Sequence, residues 1–386
     1  MRTLVTRPST AGAPDRERAL ILALARGGDT AAWAPERLQR LDYDLLRIEL
    51  ERLKLLGLLG SRLLDVAPPG AVDPQFGDAV GEMLTLGALH SMRKQLLTTQ
   101  LWRELERAGI PTLPLKGPFM AHRLHGDVAF RLSHDIDLLI ARHHSRPAIE
   151  IIESSGFVWR SGRGVPLLHY VLESSDRIQV ELHWRVSWYE TEYAEAMLAR
   201  SFVAGDIRRP APVDDLVTLL LIHARDGLSG LRTAVDIAAW WAGYSEAVDG
   251  RDLHALIARH PALRRPVTAA AVAVEQTLQV PVATTLLGTI DLERRTRAAV
   301  ALADWLSGGS EASRDALAKV VDGLLTDWRV APSWVRRAMF PRLPGNPRSE
   351  ALRRGLYAAD FSRHAVPIIA RGLIRSSPRR PSGCRS

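Results

Sequence analysis

Residues 115–140 read LKGPFMAHRLHGDVAFRLSHDIDLLI, and this stretch decides how we interpret the rest of the chain. Near its end, Asp135 and Asp137 are separated by one apolar residue in a segment with the composition of a β-strand. Because alternate side chains of a strand share a face, both carboxylates are expected on one side and the apolar side chains in a core. Two carboxylates so close repel each other unless a cation neutralises them. The pair therefore predicts a divalent-metal site, and magnesium with phosphate chemistry is our first interpretation.

A second strand is predicted at residues 177–187, where apolar and polar side chains alternate clearly. In its sequence QVELHWRVS one face is apolar, and the other holds Glu181, His183 and Arg185. If this strand pairs with the first, Glu181 would lie against the two aspartates. Three converging carboxylates suit magnesium, which prefers oxygen ligands and takes its other ligands from phosphates and water.

Two basic features precede the aspartates. Lys116 and Gly117 form a turn before a helix that Pro118 can begin. A glycine lets the backbone approach a phosphate, and free N–H groups at a helix start favour anions, so Lys116 is a candidate partner for a triphosphate. Arg131, four residues before Asp135, could bind the γ-phosphate, compensate the acidic cluster or form a structural ion pair, and the sequence leaves these alternatives open.

The other segments divide into helical flanks and a strand-rich centre. Apolar periodicity predicts helices at 17–27, 43–59, 78–108, 118–125, 146–155, 214–225 and 231–241. Short strands are predicted at 112–115, 157–160 and 169–172, the first of them an edge or irregular strand because it contains prolines. We predict no strand after residue 205. The segment 341–349 has the composition of a linker, and a last helix and a basic tail are predicted beyond it.

Composition narrows the class of protein. Of 386 residues, 46% are hydrophobic and 24% charged, which is typical of a globular protein. Cys384 is the single cysteine, so an intrachain disulfide and a cysteine metal cluster are excluded. No apolar run approaches the roughly 20 residues that span a bilayer, and the N-terminus lacks a signal-peptide pattern. These features predict a cytoplasmic protein that has no membrane partner.

The net charge of +8 raises the question of a nucleic-acid partner. Lysine occurs only at positions 54, 94, 116 and 319, so arginine carries nearly all the positive charge, which indicates a compositional bias. Part of the excess lies among Ser, Pro and Gly after residue 370, where a solvated flexible tail is the simpler interpretation. We therefore retain nucleic acid as an alternative partner without favouring it.

Five motifs occur in an order that is more specific than any one of them. They are LKG, R-x-x-x-D-I-D-L-L-I, V-E-L-H-W, D-D-L-V-T-L-L-L-I-H-A and L-R-T-A-V-D-I-A, within about residues 85–242. In this respect the chain resembles the uncharacterised bacterial nucleotidyltransferases of the DNA polymerase beta-like superfamily. The resemblance implies a glycine motif that opens a helix, two acids on the next strand that hold two magnesium ions, and a third acid from a later strand. These features map by resemblance to Lys116 with Gly117, to Asp135 and Asp137, and to Glu181.

The resemblance also has departures and secondary matches. The superfamily's usual Gly-Ser pair is replaced by Lys-Gly, which leaves the donor nucleotide open. His125 stands where the family often has an aromatic residue, and His134 directly precedes the aspartates. His223 and Asp236 match family positions on helices. We expect structural roles for the last two, because buried polar residues on a helix packed against a sheet need hydrogen-bond partners.

Together these observations predict an α+β fold, with a small mixed-sheet nucleotidyltransferase core at 109–205. We expect an N-terminal helical region at 1–108, a C-terminal helical domain at 206–345, and a terminal helix with a basic flexible tail at 346–386. The implied activity is magnesium-dependent transfer of a nucleoside monophosphate from an NTP to a small molecule, peptide or protein. Glu181 or a metal-bound hydroxide is the expected base, and His183 is the alternative.

Two other functions stay open at this stage. One is a catalytically silent nucleotide-binding or interaction protein of the same fold, which the presence of all three carboxylates disfavours. The other is a nucleotidyltransferase directed at nucleic acid through the basic tail.

Overall fold

The computed structural model describes residues 15–27, 35–133, 135–160, 168–190, 192–288, 292–306, 318 and 320–327. His134, the segment 341–349, and the predicted terminal helix and tail lie outside these residues. The fold is α+β, with a mixed sheet surrounded by helices, so the predicted fold class is confirmed. Within the described ranges, no helix is long and apolar enough to cross a membrane.

A five-stranded sheet forms the centre of the molecule. Its strands are β1 (Leu113–Pro114), β2 (Asp135–Leu139), β3 (Phe157–Trp159), β4 (His169–Ser174) and β5 (Gln179–His183). The spatial order is β1-β2-β5-β4-β3, and β2 and β5 run parallel while the other neighbours are antiparallel. The predicted strand at 177–187 is shorter than expected, because the pairing of β5 with β2 stops where β2 ends, and the chain then turns away.

The apolar faces of β2 and β5 lie on one core, as their alternation predicted. That core also takes side chains from the long helix that precedes β1 and from the helix that follows β2. Its strand members are Ile136, Leu138, Ile140, Phe157, Leu172, Val180 and Leu182. Since one face of β2 and β5 is thus filled, their polar side chains must lie on the opposite face.

Most of the other described residues lie in helices. They are α1 (Asp15–Ala25), α2 (Pro35–Leu38), α3 (Tyr43–Arg52), α4 (Ser61–Val66), α5 (Pro74–Arg107), α6 (Pro118–His125), α7 (Ser145–Ser154), α8 (Tyr193–Arg200), α9 (Pro212–Arg225), α10 (Leu231–Tyr244), α11 (Gly250–Arg259), α12 (Arg264–Leu278), α13 (Val282–Leu287) and α14 (Arg294–Leu306). A π-helical turn spans Leu56–Gly60. The single helix predicted at 43–59 is therefore divided between α3 and this turn.

The N-terminal and C-terminal helices share a second, larger core. It takes apolar residues from α1 and α3 and from α9, α10 and α12, and the Arg26 side chain of the N-terminal region donates to the Thr277 carbonyl at 3.0 Å. Two acids at the start of α9 are buried in this region. Asp214 accepts two hydrogen bonds from Arg200, and Asp215 accepts one from Trp240 and pairs with Arg123. The predicted domain boundaries stay a prediction.

One prediction about the strands is wrong. A two-stranded hairpin, β6 (Phe202–Ala204) and β7 (Ile207–Arg209), extends past residue 205, where no strand was expected. The signal is a Gly-Asp pair between two short runs, which is a favoured two-residue hairpin turn, and Gly205 has φ +65°. The hairpin is held by Arg208, which donates two hydrogen bonds to Glu106 on α5.

Candidate metal and phosphate site

Three carboxylates converge on the polar face of the sheet. The parallel register places Asp137 directly beside Glu181, and Asp135 lies on the same face of β2. One carboxylate oxygen from each of the three residues lies within 4.8 Å of the others. The prediction that the two strands pair and bring these acids together is therefore confirmed.

Asp137 is the buried centre of this group. Its Oδ1 accepts hydrogen bonds from the Lys116 ammonium at 3.0 Å and from the His183 ring at 3.1 Å. Burial alone would raise the pKa of Asp137, but the nearby Lys116 charge and the His183 hydrogen bond hold this pKa well below its usual range. Asp137 is thus ionised, and it provides a fixed negative charge at the floor of the site.

The second oxygen of Asp137 indicates what the group can bind. Oδ2 is buried and has no hydrogen-bond partner among the described residues. A buried carboxylate oxygen without a partner is costly, unless a ligand that the protein binds satisfies it. Asp135 and Glu181 supply further oxygens, with side chains 23% and 20% exposed. A set of oxygen ligands that is buried at one end and accessible at the other suits a magnesium ion that also binds phosphate.

The Lys116–Gly117 turn lies beside the carboxylates. Lys116 Nζ is 3.0 Å from Asp137 and 3.7 Å from Asp135, and Gly117 is the residue before α6. Gly117 has φ +95° and ψ −152°, a region that only glycine occupies readily, and the space where a Cβ would lie is open. The turn directly precedes the first turn of α6, and a helix start is a position that favours anions.

Arg131 belongs to a group of side chains around Asp236, and not to the group of three carboxylates. Its Nε donates to Asp236 at 2.7 Å, and His125 contacts the other oxygen of Asp236 at 2.9 Å. Burial alone would raise the pKa of Asp236, but the Arg131 charge and the His125 hydrogen bond lower it. All three side chains are nearly inaccessible to solvent. The geometry therefore favours the structural ion pair among the alternatives for Arg131, and it gives Asp236 the structural role that we expected.

His223 lies on α9 and is also buried. Burial lowers its pKa to about 4, so the ring is neutral near pH 7. Its buried Nδ1 has no hydrogen-bond partner among the described residues, so the structural role expected for His223 stays a prediction.

His183 is brought into the group of carboxylates. Its Nε2 lies 3.1 Å from Asp137 and 3.2 Å from Glu181, and the ring is almost fully buried. Burial by itself would lower the pKa of His183, but hydrogen bonds to the two carboxylates raise it. His183 therefore links the buried acid of β2 to the partly exposed acid of β5.

Two further lysines near the site were missed by motif-based reasoning. Lys94 on α5 is buried and donates to the carbonyl of Ser133, whose hydroxyl donates to Asp135 at 2.8 Å. Burial lowers the pKa of Lys94 to about 8, and the charges of Asp135 and Asp137 oppose this shift. Lys54, just after α3, has its pKa lowered by burial and by the positive charges of Arg232, Lys116 and Arg131, while Asp135 opposes the shift.

The scarcity of lysine was a signal that could have identified these residues. Only four of the 51 basic residues are lysines, and three of them gather around Asp135, while the fourth, Lys319, lies outside the described residues. Arg232 on α10 adds a fourth positive charge near this position and donates to the Leu132 carbonyl. Burial and the charge of Arg131 lower the pKa of Arg232 to about 10. The carboxylates are thus bordered by cations on α5 and α10, on the turn before α6, and on the segment just after α3.

His169 is another residue that the sequence did not identify as part of the site. It lies on β4 directly opposite His183, and its Nε2 is 3.7 Å from Glu181. Burial and the neighbouring His183 lower the pKa of His169 to about 4. The closeness of His169 to Glu181 and His183 depends on the register of the β4–β5 pair. The alternation of either strand alone does not give that register.

Comparisons with known proteins were made for the whole chain. A family model described as "Uncharacterised nucleotidyltransferase" matches residues 41–279, which is more than half of the sequence. The match includes all five strands of the central sheet and every site residue described above. Neither a search of curated proteins nor a search of solved structures found a significant match.

Proposed function

We propose a specific reaction for this chain, which belongs to the uncharacterised nucleotidyltransferase family and is therefore a transferase of phosphorus-containing groups. It transfers a nucleoside monophosphate from an NTP. The acceptor would be a hydroxyl or phosphate group of a small molecule, peptide or protein. One observation carries this proposal: Asp135, Asp137 and Glu181 each offer a carboxylate oxygen within 4.8 Å of the others, and Oδ2 of Asp137 is buried without a partner among the described residues.

The donor set fits magnesium. Asp135, Asp137 and Glu181 would hold two magnesium ions, because all three supply oxygen ligands and the two outer carboxylates are partly exposed. When bound, such ions neutralise phosphate charge and lower the pKa of an acceptor hydroxyl.

The basic residues around the carboxylates would bind the triphosphate. Lys116 precedes Gly117 and lies beside Asp135 and Asp137, and its ammonium would contact the β- and γ-phosphates. N–H groups of the first turn of α6 would donate to phosphate oxygens, because this helix begins directly after Gly117. Lys54 and Arg232 add charge from the opposite flank, while Lys94 supports the segment that carries Asp135.

The transfer itself needs a nucleophile, a leaving group and a proton acceptor. The acceptor oxygen forms a bond to the α-phosphorus while the bond from this phosphorus to the bridging oxygen breaks, and pyrophosphate leaves. Glu181 would accept the proton of the hydroxyl, because its side chain is 20% exposed whereas Asp137 is inaccessible. His183 would orient Asp137 and Glu181, since its Nε2 already contacts both, and it remains the alternative base.

The surrounding regions would select the acceptor. We place the catalytic core at 109–205 and assign acceptor binding to the helical regions 1–108 and 206–345, in a cytoplasmic protein. These helices border the carboxylates through Lys54, Lys94 and Arg232.

The position of the label distinguishes nucleotidyl transfer from other phosphoryl chemistry. Full-length protein is incubated with magnesium, an extract that supplies acceptors, and an NTP labelled at either the α- or the γ-phosphate. We expect the α-label in a new product and the γ-label in pyrophosphate. Appearance of the γ-label in the product, or undiminished α-transfer by Asp135→Asn, would overturn the proposal. Asp206→Asn is the matched control, because Asp206 is 80% exposed and distant in sequence from the site.

A further inference from the structure

A second group of metal-ligating side chains borders the three carboxylates. His169, Glu181 and His183 each offer one ligand atom, and these atoms lie within 4.8 Å of one another. Two of the three residues are histidines, so the group differs chemically from the all-carboxylate group of Asp135, Asp137 and Glu181. Glu181 belongs to both groups.

The register of the sheet explains why these residues meet. In the antiparallel pair of β4 and β5, His169 lies directly opposite His183, and the two ring centroids are 4.6 Å apart. Glu181 lies two residues before His183 and therefore on the same face of β5. Each oxygen of its carboxylate faces one ring: Oε1 is 3.7 Å from His169 Nε2, and Oε2 is 3.2 Å from His183 Nε2.

Ligand chemistry separates this group from a magnesium site. Magnesium takes oxygen ligands, whereas imidazole nitrogens suit zinc and the other later first-row divalent metals. We propose that His169, Glu181 and His183 form a site for a transition-metal ion of the zinc class, adjacent to the carboxylate site and sharing Glu181 with it. The metal ion takes the place of the proton that His183 Nε2 shares with the carboxylates. Two histidines and one carboxylate leave further coordination positions for water or a substrate.

Burial supports a site that is enclosed but can be reached. His169 is 8% exposed and His183 is 2% exposed, so both rings are held within the fold. The Glu181 side chain is 20% exposed and provides the side from which an ion enters. The proposal goes beyond nucleotidyl transfer and does not rest on it, because it follows from the three ligands alone.

Cobalt(II) is a suitable probe, since its visible absorption reports nitrogen ligands and coordination number. The full-length protein is freed of metal with a chelator and titrated with Co²⁺ in the presence of excess Mg²⁺, and Zn²⁺ is then added. We expect one equivalent of Co²⁺ to bind with the absorption of a nitrogen-ligated ion, and Zn²⁺ to displace it. Magnesium should not displace Co²⁺, because it binds imidazole poorly and has the carboxylates of Asp135 and Asp137 in its own site.

Variants identify the ligands. His169→Ala and His169→Gln should each weaken Co²⁺ binding by at least about 100-fold and change the spectrum, since loss of even an indirect contact costs 10–100-fold in metal affinity. Thermal melts of both variants report folding, and the glutamine variant retains a polar side chain of similar size. Asp135→Asn should retain Co²⁺ binding, which separates this site from the carboxylate site. His254→Ala is the control, because His254 is exposed.

Two results would overturn the proposal. One is the absence of nitrogen-ligated Co²⁺ in the wild-type protein when magnesium is in excess. The other is wild-type Co²⁺ affinity in a folded His169 variant. Neither result bears on nucleotidyl transfer, so the two proposals fail separately.

Discussion

Asp137 and Asp236 are both buried aspartates in family-typical segments, and each contacts a cationic side chain and a histidine. Around Asp236 both oxygens are paired, one with Arg131 at 2.7 Å and the other with His125 at 2.9 Å. Around Asp137 one oxygen accepts from Lys116 and His183, while the other has no partner among the described residues. The group at Asp236 is closed, and the group at Asp137 is open.

This difference separates a structural ion pair from a binding site. A closed group satisfies its own charges, so its removal should affect the stability of the fold. An open group leaves a charged atom for a ligand, so its removal should affect binding and catalysis. The type of cation follows the same division: the closed group uses a planar arginine, and the open group uses lysine, a compact charge on a flexible stem. The predictions below test this division, from the largest expected effect to the smallest.

The largest effect is expected for Asp137→Asn. It removes the charge at the floor of the open group, and transfer of an α-label from NTP should fall by at least about 10³-fold, or roughly 4 kcal/mol in the barrier. Thermal melts establish that the variant is folded. Residual transfer within tenfold of wild type would remove the distinction between the two groups.

Asp236→Asn should destabilise the protein by about 3 kcal/mol, because Arg131 would be left buried without a counter-charge. Urea unfolding measures this change. The matched control Asp206→Asn, at an exposed position, should change stability by less than about 0.5 kcal/mol. Magnesium-dependent transfer per folded molecule should stay within a few-fold of wild type, and a loss comparable with that of Asp137→Asn would contradict a purely structural role.

Lys54→Met tests the cations that border the open group. The substitution removes the charge but keeps most of the stem, and NTP affinity should fall about fivefold, or ~1 kcal/mol, since Lys54 is exposed and its charge is screened. Isothermal titration with NTP and magnesium measures the change. Arg52→Ala, two residues earlier and paired with Glu49, should leave the affinity unchanged. Equal losses in both variants would indicate a general charge effect.

The smallest effect is a pH dependence of the closed group. The pKa of Asp236 is lower in the folded protein than the pKa of 3.8 in the unfolded chain, so the ionised form stabilises the fold above pH 3.8. This stabilisation is lost as the pH falls through the pKa of the folded protein. The stability difference between wild type and Asp236→Asn should therefore be constant near pH 7 and narrow below about pH 5. Urea unfolding across this pH range measures the stability difference. A difference that grows on acidification would contradict the ion pair.

Local pattern predicted the parts of the site that lie on single strands. Alternation in β2 and β5 placed Asp135, Asp137 and Glu181 on polar faces, and the parallel register then brought them together. The Gly117 turn was also readable, because glycine followed by proline is a strong local signal.

The rest of the site depends on contacts between distant segments. The partner of Arg131 is 105 residues away in sequence, so its position four residues before Asp135 does not reveal its contact: the fold places Arg131 against Asp236 and Lys116 beside Asp135. Lys54, just after α3, and Arg232, on α10, come from segments on either side of the core in sequence, and no local pattern fixes their packing near the site. The β6–β7 hairpin, in contrast, had a local signal at Gly205 that three-residue strands made easy to overlook.

Ligand-dependent stabilisation tests most directly whether the open group binds metal and nucleotide. Thermal shifts of wild type, Asp137→Asn and Asp236→Asn are measured with each of the four NTPs, with and without magnesium. At a free NTP concentration 100 times Kd the wild type should gain about 2.7 kcal/mol in magnesium only. Asp236→Asn should show the same gain from a lower starting Tm, and Asp137→Asn should show none. A magnesium-dependent gain in Asp137→Asn equal to that of wild type would contradict the assignment of this site.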